Sequence, residues 1–457
     1  MKTCGVQFHF WTSLLLLAAT TTSLNAADLK IAIFEADVTI PLGHRCMGVL
    51  PQKSVQVLDP LEANGFVLLS GDKPVVFVAV DWCEIRNGAY DRWRDVLAES
   101  AGTTRERVLV TSLHQHDAPV TDAGAAEILR DLNLANELYD EEFHEQAVQR
   151  VATALRESLK DARPVTHVGT GQALVRDIAS NRRVVHADGS VHFDRGSRSG
   201  ADPFHSQAPE GLIDPWVKTL SFWNQDEPLL ALSVYATHPM SSYGRGEISA
   251  DFVGLARRAR QEDLPGVKQI YASGCSGDIT AGKFNDGSAA SREGLIQRLR
   301  EGMATAWQET KTSPVDRIAF RVTSLELPFY DHAELTREHL ETVAQDPAQR
   351  TEDRILAAMG LSSRNRVAAG ELIDVPCVEL GPARLVLLPG ESFVGYQLMA
   401  QSLAPDAFVV TVGYGECWPG YIPTNAAFAD HFHDKWLWVA PGSEEKMQQA
   451  LKRVLAP

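Results

Sequence analysis

The sequence predicts an α/β protein, built as one large unit in which a mixed β-sheet is flanked by helices. Two observations support this prediction. Short apolar runs alternate along the chain with helical patterns, and 44% of the 457 residues are hydrophobic while 22% are charged, as in ordinary globular proteins. The chain shows neither a sequence repeat nor a linker-like stretch. Because polar motifs from both halves would have to meet in one place, we expect a single catalytic domain over residues 27–457.

The first strands are short apolar runs bounded by turn residues. The patterns predict strands at 30–34, 65–69, 74–80 and 107–111, and helices at 89–100 and 140–159. Because strands and helices alternate here, we expect a largely buried sheet.

The middle of the chain carries a hairpin signal. Residues 181–186 and 191–193 flank Asp188-Gly189, a dipeptide that tolerates the positive φ of a tight turn. Residues 194–209 are rich in Gly, Ser, Asp and Pro, which indicates a surface loop. Further strands are expected at 229–235, 269–272, 317–327, 384–388 and 407–412, and further helices at 251–262, 290–310, 333–345, 392–402 and 444–454.

The first 26 residues have the pattern of a cleaved secretory signal peptide. Lys2 precedes the apolar run 14–19, and small residues follow around Ala26. The alternative, a membrane anchor, is disfavoured because the apolar run is much shorter than the roughly 20 residues that cross a bilayer. We therefore expect a secreted or periplasmic protein without a transmembrane segment in the mature chain.

Charge and cysteine content exclude several classes of partner and fold. The chain has 43 Lys and Arg against 59 Asp and Glu, a net charge of −16, without a basic stretch that could follow a phosphate backbone. We therefore expect no nucleic acid partner. The 6 cysteines lack a CxxC pair and cannot form a disulfide scaffold in a chain of this length. The oligomeric state is left open.

A histidine pair directly follows the strand predicted at 107–111. His114 and His116 are two residues apart, so both can point to one face at the carboxyl end of the strand, where α/β proteins bind ligands. This pattern indicates a metal site. The alternative is a pair of structural histidines that bond to loop carbonyls.

Four further polar motifs follow predicted strands, and each has a structural alternative. His238 would by itself more often be structural, and Glu391 could simply interact with the dipole of the next helix. A Ser-His-Asp hydrolase with Ser112 or Ser276 as nucleophile is disfavoured, because no nucleophile elbow is present. The four motifs are Tyr235-Ala236-Thr237-His238-Pro239, Gly274-Cys275-Ser276-Gly277-Asp278-Ile279-Thr280, Pro389-Gly390-Glu391, and the glycine- and aromatic-rich segment 413–424.

In their order along the chain, these motifs resemble one family, the neutral, non-lysosomal ceramidases and their bacterial relatives. The opening Ala36-Asp37-Val38-Thr39-Ile40-Pro41-Leu42-Gly43 is similar to the family's A-D-I-T-P-P-x-G, and residues 114–119 are similar to its H-T-H-S-G/A-P. The matching order continues with Asn181-Arg182, His238, Gly277-Asp278-Ile279-Thr280, Pro389-Gly390-Glu391 and Gly420-Tyr421-Ile422-Pro423-Thr424. The resemblance extends from about residue 29 to about residue 424.

The resemblance implies the catalytic-domain fold of these enzymes and an exported amidohydrolase that uses Zn²⁺. The reaction would be hydrolysis of the N-acyl amide bond of ceramide, or of a related small-molecule or lipid amide, through a zinc-activated water. The implied metal ligands are His114, His238, Glu391 and Tyr421. The implied catalytic and substrate-contacting residues are His116, Arg182, Thr280 and Tyr421, where His116 handles protons or orients the substrate, and Tyr421 could instead donate a hydrogen bond to the oxyanion. Imidazole nitrogens and a carboxylate are suitable ligands for zinc.

The chain also departs from the family pattern. Gln115 replaces threonine, Asp117 replaces serine, and Thr280 stands where characterised ceramidases have serine. Asp117 could orient an imidazole, or could indicate a more polar or cationic substrate. We expect no immunoglobulin-like domain of the kind that the longer ceramidases carry, because the 33 residues that follow Thr424 are too few for such a sandwich. A metal-dependent hydrolase of an ester, glycan-derived or peptide-like substrate, and a non-catalytic binding protein, therefore remain as alternatives.

Overall fold

The computed structural model describes residues 1–5 and 29–456. Residues 6–26 of the predicted signal peptide therefore lie outside the described residues. The α/β class is confirmed, since several mixed sheets are flanked by helices. Within the described ranges, no helix combines the length and the apolar content needed to cross a bilayer.

Three successive parts of the chain share one order of elements, and we call them units I, II and III (residues 30–164, 167–314 and 319–455). In each unit three strands pair in antiparallel fashion, a helix follows, and a fourth strand pairs in parallel with the third. A last helix then packs on the first strand. The topology is therefore repeated three times, although the sequence shows no detectable repeat.

The bounds of the elements are as follows. Unit I contains strands Lys30–Asp37, Glu62–Leu69 and Val75–Val80, helix Asn87–Ala101, strand Val108–Ser112, helix Glu141–Ser158 and edge strand Arg163–Pro164. Unit II contains strands His167–Leu174, Trp216–Asn224 and Glu227–Tyr235, helix Asp251–Asp263, strand Lys268–Ser273, helix Ala289–Gln308 and edge strand Lys311–Pro314. Unit III contains strands Ala319–Leu325, Ile373–Leu380 and Ala383–Leu387, helix Val394–Leu403, strand Phe408–Val412 and helix Ser443–Leu455. Helices in the connections are Ala123–Asp131, Pro203–Gln207, Arg337–Gln345, Thr351–Ala368 and Asn425–Ala429.

The third and fourth strands of each unit are largely buried, although the fourth strand lies at an edge of its own sheet. All residues of Val75–Val80 and of Val108–Ser112 are buried, as expected for parallel neighbours that are covered on both faces. The covering helix Glu141–Ser158 begins at Asp140, whose carboxylate accepts the N–H of Phe143, and it buries an apolar face.

Two main-chain hydrogen bonds and one side-chain hydrogen bond join the three units at the carboxyl ends of their fourth strands. The N–H of Ser112 in unit I donates to the carbonyl of Tyr414 in unit III (3.1 Å). The N–H of Gly413 in unit III donates to the carbonyl of Ser273 in unit II (2.9 Å). The hydroxyl of Ser273 donates to the carbonyl of Leu113 in unit I (2.8 Å), which closes a ring around one point.

Most predicted elements are found, and the predicted hairpin is confirmed by the pairing of Val184–Val185 with Val191–His192. Elements that were not predicted include strands His167–Leu174 and Trp216–Asn224 and helix Thr351–Ala368. The first contains Gly169 and Gly171, which are poor strand formers. A Cβ at Gly171 would lie 2.1 Å from the carbonyl oxygen of Ala306, so the last helix of unit II can pack closely only on glycine.

The cysteines form no disulfide in the part of the chain that the structure describes. Cys46, Cys83, Cys275, Cys377 and Cys417 are buried as free thiols. The fold therefore depends on its packed core.

Candidate metal and catalytic site

Residues from all three units meet where the strands end. His114 and His116 follow the fourth strand of unit I, His238 follows the third strand of unit II, and Glu391 follows the third strand of unit III. All four are buried. The structure thus brings together side chains from distant parts of the sequence.

The four side chains form a compact cluster. One nitrogen from each of the three histidines lies within 4.8 Å of the others. The Nε2 atoms of His114 and His238 lie 3.2 and 3.7 Å from the same Oε2 of Glu391. These separations suit a set of donors around one ion.

Main-chain carbonyls fix the orientation of each imidazole. The Nδ1 atoms of His114, His116 and His238 lie 3.0, 3.3 and 3.2 Å from the carbonyl oxygens of Cys83, Pro239 and Ser276, respectively. Since a carbonyl only accepts hydrogen bonds, Nδ1 carries the proton, and a neutral ring keeps its lone pair on Nε2. This is the tautomer that a metal site requires.

Two buried atoms in the cluster lack a hydrogen-bond partner. They are Nε2 of His238 and Oε2 of Glu391. Leaving such groups unpaired in a buried site costs free energy, so their presence fits a group that binds between them. Nitrogen and oxygen donors of this kind are ligands that zinc accepts.

The protonation of the histidines differs with their surroundings. Burial, together with the positive charges of His114 and Arg182, lowers the pKa of His116 well below its usual value. Burial and the same two charges lower the pKa of His238 as well. For His114, burial acts to lower the pKa, but the negative charge of the nearby Glu391 opposes it, and the pKa is raised. His116 and His238 are therefore neutral near pH 7.

The backbone at the site is locally strained. His114 has φ +69° and Tyr414 has φ +56°, a region that residues other than glycine rarely adopt. Both are the second residue after the fourth strand of their unit, and their rings stack with centroids 4.5 Å apart. Strain of this kind is concentrated at functional sites.

Tyr421 and Arg182 lie at the edge of the cluster. Tyr421 pairs with Glu391 in a short parallel ladder, and it lines a cavity of about 20 Å³ together with His114, His116 and Glu391. Burial, opposed by the charge of Arg182, raises the pKa of Tyr421 well above its usual value, so the phenol keeps its proton. The Arg182 guanidinium lies 5.8 Å from the centroid of the Tyr421 ring.

Thr280 is less directly connected to the cluster. Its hydroxyl accepts the N–H of Gly282 (3.0 Å) and donates to the carbonyl of Gly196 (3.4 Å). Across the described residues, no hydrogen bond links this hydroxyl to the histidines. The substrate contact expected for Thr280 therefore stays a prediction.

The two departures beside the histidines have structural roles. The amide of Gln115 donates to Asp81 (3.3 Å) and to the carbonyl of Ala250 (3.2 Å). Asp117 accepts the N–H of Gly244 (3.0 Å), and burial raises its pKa to about 7. The three imidazoles are held by main-chain carbonyls, and in the described residues no hydrogen bond links Asp117 to a histidine, so the suggestion that it orients an imidazole is not supported.

The serines considered as nucleophiles do not contact an imidazole through their hydroxyls. The Ser112 hydroxyl lies 3.8 Å from Sγ of Cys417, and the Ser276 hydroxyl lies 2.7 Å from that of Tyr414. No Ser-His-Asp arrangement of these groups is therefore present in the described part of the chain.

Sequence reasoning missed Glu84, and within the segment 413–424 it gave a role to Tyr421 but none to Tyr414. Glu84 follows the third strand of unit I, is fully buried, and shares a cluster with His114 and Glu391. The sequence did contain a signal for Glu84, namely a polar residue shortly after an apolar run. The same pattern identified His238. Burial raises the pKa of Glu84 to about 7, although Arg86 opposes that shift.

Comparison with known proteins supports the fold. No protein-family model and no curated protein matches the chain. Two solved structures are similar, a ceramidase complexed with C2 and the neutral ceramidase from Pseudomonas aeruginosa, each with a TM-score of 0.67 and 17% sequence identity. The matches cover 94% of this chain and 75% and 74% of those chains, respectively. The predicted resemblance to the neutral ceramidases is thus confirmed at the level of the fold.

Proposed function

We propose that the protein is a zinc-dependent amidohydrolase that cleaves the N-acyl amide bond of ceramide or of a related N-acylated compound. One observation carries the proposal: the Nε2 atoms of His114 and His238 converge on the Glu391 carboxylate, and each ring is fixed by a carbonyl. The ceramidase fold supports the choice of substrate class.

His114, His238 and Glu391 would hold the ion, with Tyr421 beside them. When bound, zinc supplies a Lewis acid for the amide carbonyl and lowers the pKa of water to about 7. The buried surroundings strengthen each electrostatic interaction, because few water molecules remain to screen it.

His116 would transfer the protons. It is neutral and lies beside His114 and His238, with ring centroids 4.9 and 5.1 Å away. It can accept a proton from the attacking water at Nε2 and deliver it to the leaving nitrogen.

The remaining residues would bind the substrate. The phenol of Tyr421 keeps its proton and can donate a hydrogen bond to the oxygen that becomes negative in the transition state. Arg182 and Thr280 would contact the polar head of the substrate. Because a signal peptide is predicted, we propose that the protein is exported and that the reaction takes place outside the cell or in the periplasm.

The test compares purified protein with a His114→Ala, His238→Ala double variant. We expect about one zinc per chain and chelator-sensitive hydrolysis of a fluorogenic ceramide. In the double variant we expect the metal to be lost and hydrolysis to fall at least about 100-fold. His144→Phe is the control, because His144 is buried among aromatic rings and its Nε2 has no hydrogen-bond partner.

Two results would change the assignment. Zinc without ceramide hydrolysis would keep the metal site and direct the search to a panel of other amides, esters and peptide-like compounds. A folded protein that binds no zinc after reconstitution would overturn the metal site and favour a binding protein.

A further inference from the structure

We infer that Glu84 is an additional ligand of the ion held by His114 and Glu391, so that the site binds metal with two carboxylates. The inference rests on the proposed metal site and deepens it. It follows from the position of Glu84 in the repeated topology, from the distances, and from an unpaired oxygen atom.

Glu84 and Glu391 occupy the same position in units I and III. Each is the fourth residue after the third strand, counted from Val80 and Leu387, which pair with the last residues of the fourth strands. Each also begins a short strand that pairs in parallel with a later segment, Glu84 opposite Val120 and Glu391 opposite Tyr421. The repeated topology therefore places Glu84 and Glu391 at equivalent positions, and both lie at the same site.

The distances fit a shared ion. One carboxylate oxygen of Glu84, one of Glu391 and one nitrogen of His114 all lie within 4.8 Å of one another. Ligands that are each about 2.0–2.2 Å from a zinc ion lie at most about 4.4 Å apart, so small side-chain adjustments suffice. Glu84 also lines the same small cavity as His116 and Tyr421.

The Glu84 carboxylate is fixed on one side and unpaired on the other. Its Oε2 accepts a hydrogen bond from Arg86 (2.8 Å), and both side chains are fully buried. Arg86 is in turn held by Ser363 and stacks on Trp438, with 4.2 Å to the ring centroid. The Oε1 of Glu84 has no hydrogen-bond partner in the described residues.

The buried carboxylates around Glu84 outnumber the guanidinium that they face, which favours the binding of a cation. Arg86 faces two carboxylates, Glu84 at 2.8 Å and Asp122 at 3.5 Å. Glu391 adds a third buried carboxylate. A buried carboxylate oxygen without a partner is costly, whereas a divalent ion between Glu84 and Glu391 satisfies both.

A second carboxylate changes which metals the site accepts. Carboxylate ligands favour harder ions, so a site with Glu84 and Glu391 binds Mn²⁺ more competitively than a site with one carboxylate does. Removing Glu84 should therefore weaken binding and shift selectivity towards Zn²⁺.

The test titrates metal-free protein with Zn²⁺ and with Mn²⁺ in competition with a chromophoric chelator. We expect Glu84→Gln to weaken Zn²⁺ binding by at least about 10-fold, because losing a ligand should cost no less than losing a group that supports one, and to weaken Mn²⁺ binding further. Glu84→Asp keeps the negative charge but moves the carboxylate oxygen away from the ion. This variant should also weaken the binding of both metals, again more for Mn²⁺ than for Zn²⁺. Glu416→Gln is the control, because Glu416 is a buried acid beside Arg366 that lies outside the cluster. The affinity of this variant for each metal should change less than about twofold.

A structural measurement on the unaltered protein completes the test. In zinc-loaded crystals, anomalous diffraction should place the ion about 2.0–2.2 Å from Oε1 of Glu84. Unchanged affinity in folded Glu84→Gln, or an ion beyond contact with Glu84, would overturn the inference while leaving zinc-dependent hydrolysis intact. If the His114→Ala, His238→Ala variant loses the metal but Glu84→Gln keeps its full affinity, the inference is overturned as well. If the unaltered protein binds no metal, the proposed function fails instead.

Discussion

The imidazoles of the cluster are oriented by main-chain carbonyls, which neither titrate nor rotate away. Cys83, Pro239 and Ser276 supply these carbonyls, and each lies in a loop directly after a strand. Because the acceptors belong to the backbone, a side-chain substitution at these three positions keeps the acceptor. The tautomer that leaves Nε2 free is thus determined by the fold itself.

The two roles considered for Tyr421 can be separated by removing its hydroxyl. In Tyr421→Phe we expect the rate of ceramide hydrolysis to fall by about 10²–10³, because an oxyanion donor is lost. We expect the zinc content to stay near one per chain, since His114, His238 and Glu391 remain. Kinetics and metal analysis on the same preparation check this, and a loss of zinc would instead identify Tyr421 as a ligand.

At the scale of elements, tight glycine turns place the site residues. Gly390 and Gly420 precede Glu391 and Tyr421, and both have positive φ (+52° and +60°). A Cβ at Gly420 would lie 1.8 Å from the carbonyl oxygen of Trp436, so the turn has no space for a side chain. The close approach of these two turns allows Glu391 and Tyr421 to pair.

Two glycine substitutions test this steric requirement. Gly43→Ala, where φ is +86° but no atom lies within 4 Å of the added Cβ, should cost about 1 kcal/mol from backbone strain alone. Gly420→Ala should cost at least about 3 kcal/mol because of the added clash, and should also lower hydrolysis by displacing Tyr421. Denaturant unfolding measures both, and equal losses in the two variants would contradict the steric argument.

At the scale of the whole molecule, the site lies where the three units meet. Unit I supplies His114 and His116, unit II supplies His238, and unit III supplies Glu391 and Tyr421. The hydrogen bonds among Ser112, Ser273 and Gly413 and their partners surround the same region. An ion in the site would therefore connect all three units.

Zinc should accordingly stabilise the molecule as a whole. At free zinc 100 times above its dissociation constant, binding adds about 2.7 kcal/mol, which raises the Tm of a chain of this size by about 3 °C. We expect one transition that shifts upward as a whole, and no shift in the His114→Ala, His238→Ala variant. Calorimetry with and without zinc checks this, and a shift confined to one of several transitions would contradict it.

Local patterns allowed much of this architecture to be predicted. Val75–Val80 is apolar throughout, residues 108–110 form a second apolar run, and the polar residues that follow these runs indicated where a site would form. The repeated topology could not be predicted in this way, because it is a property of strand order that three different sequences share. Glu84 was missed because an acid two residues from Arg86 is usually part of a solvated pair, whereas here both are fully buried.

If the proposed metal site is correct, the distribution of its ligands over three units would determine when the chain can acquire metal. A chain that has emerged only as far as unit II lacks Glu391 and Tyr421, so it offers an incomplete set of donors. Full affinity would arise only once unit III has docked, because the binding free energy of a metal site is gained together with folding. Loading with metal would then mark the end of folding, in whichever compartment the chain completes it.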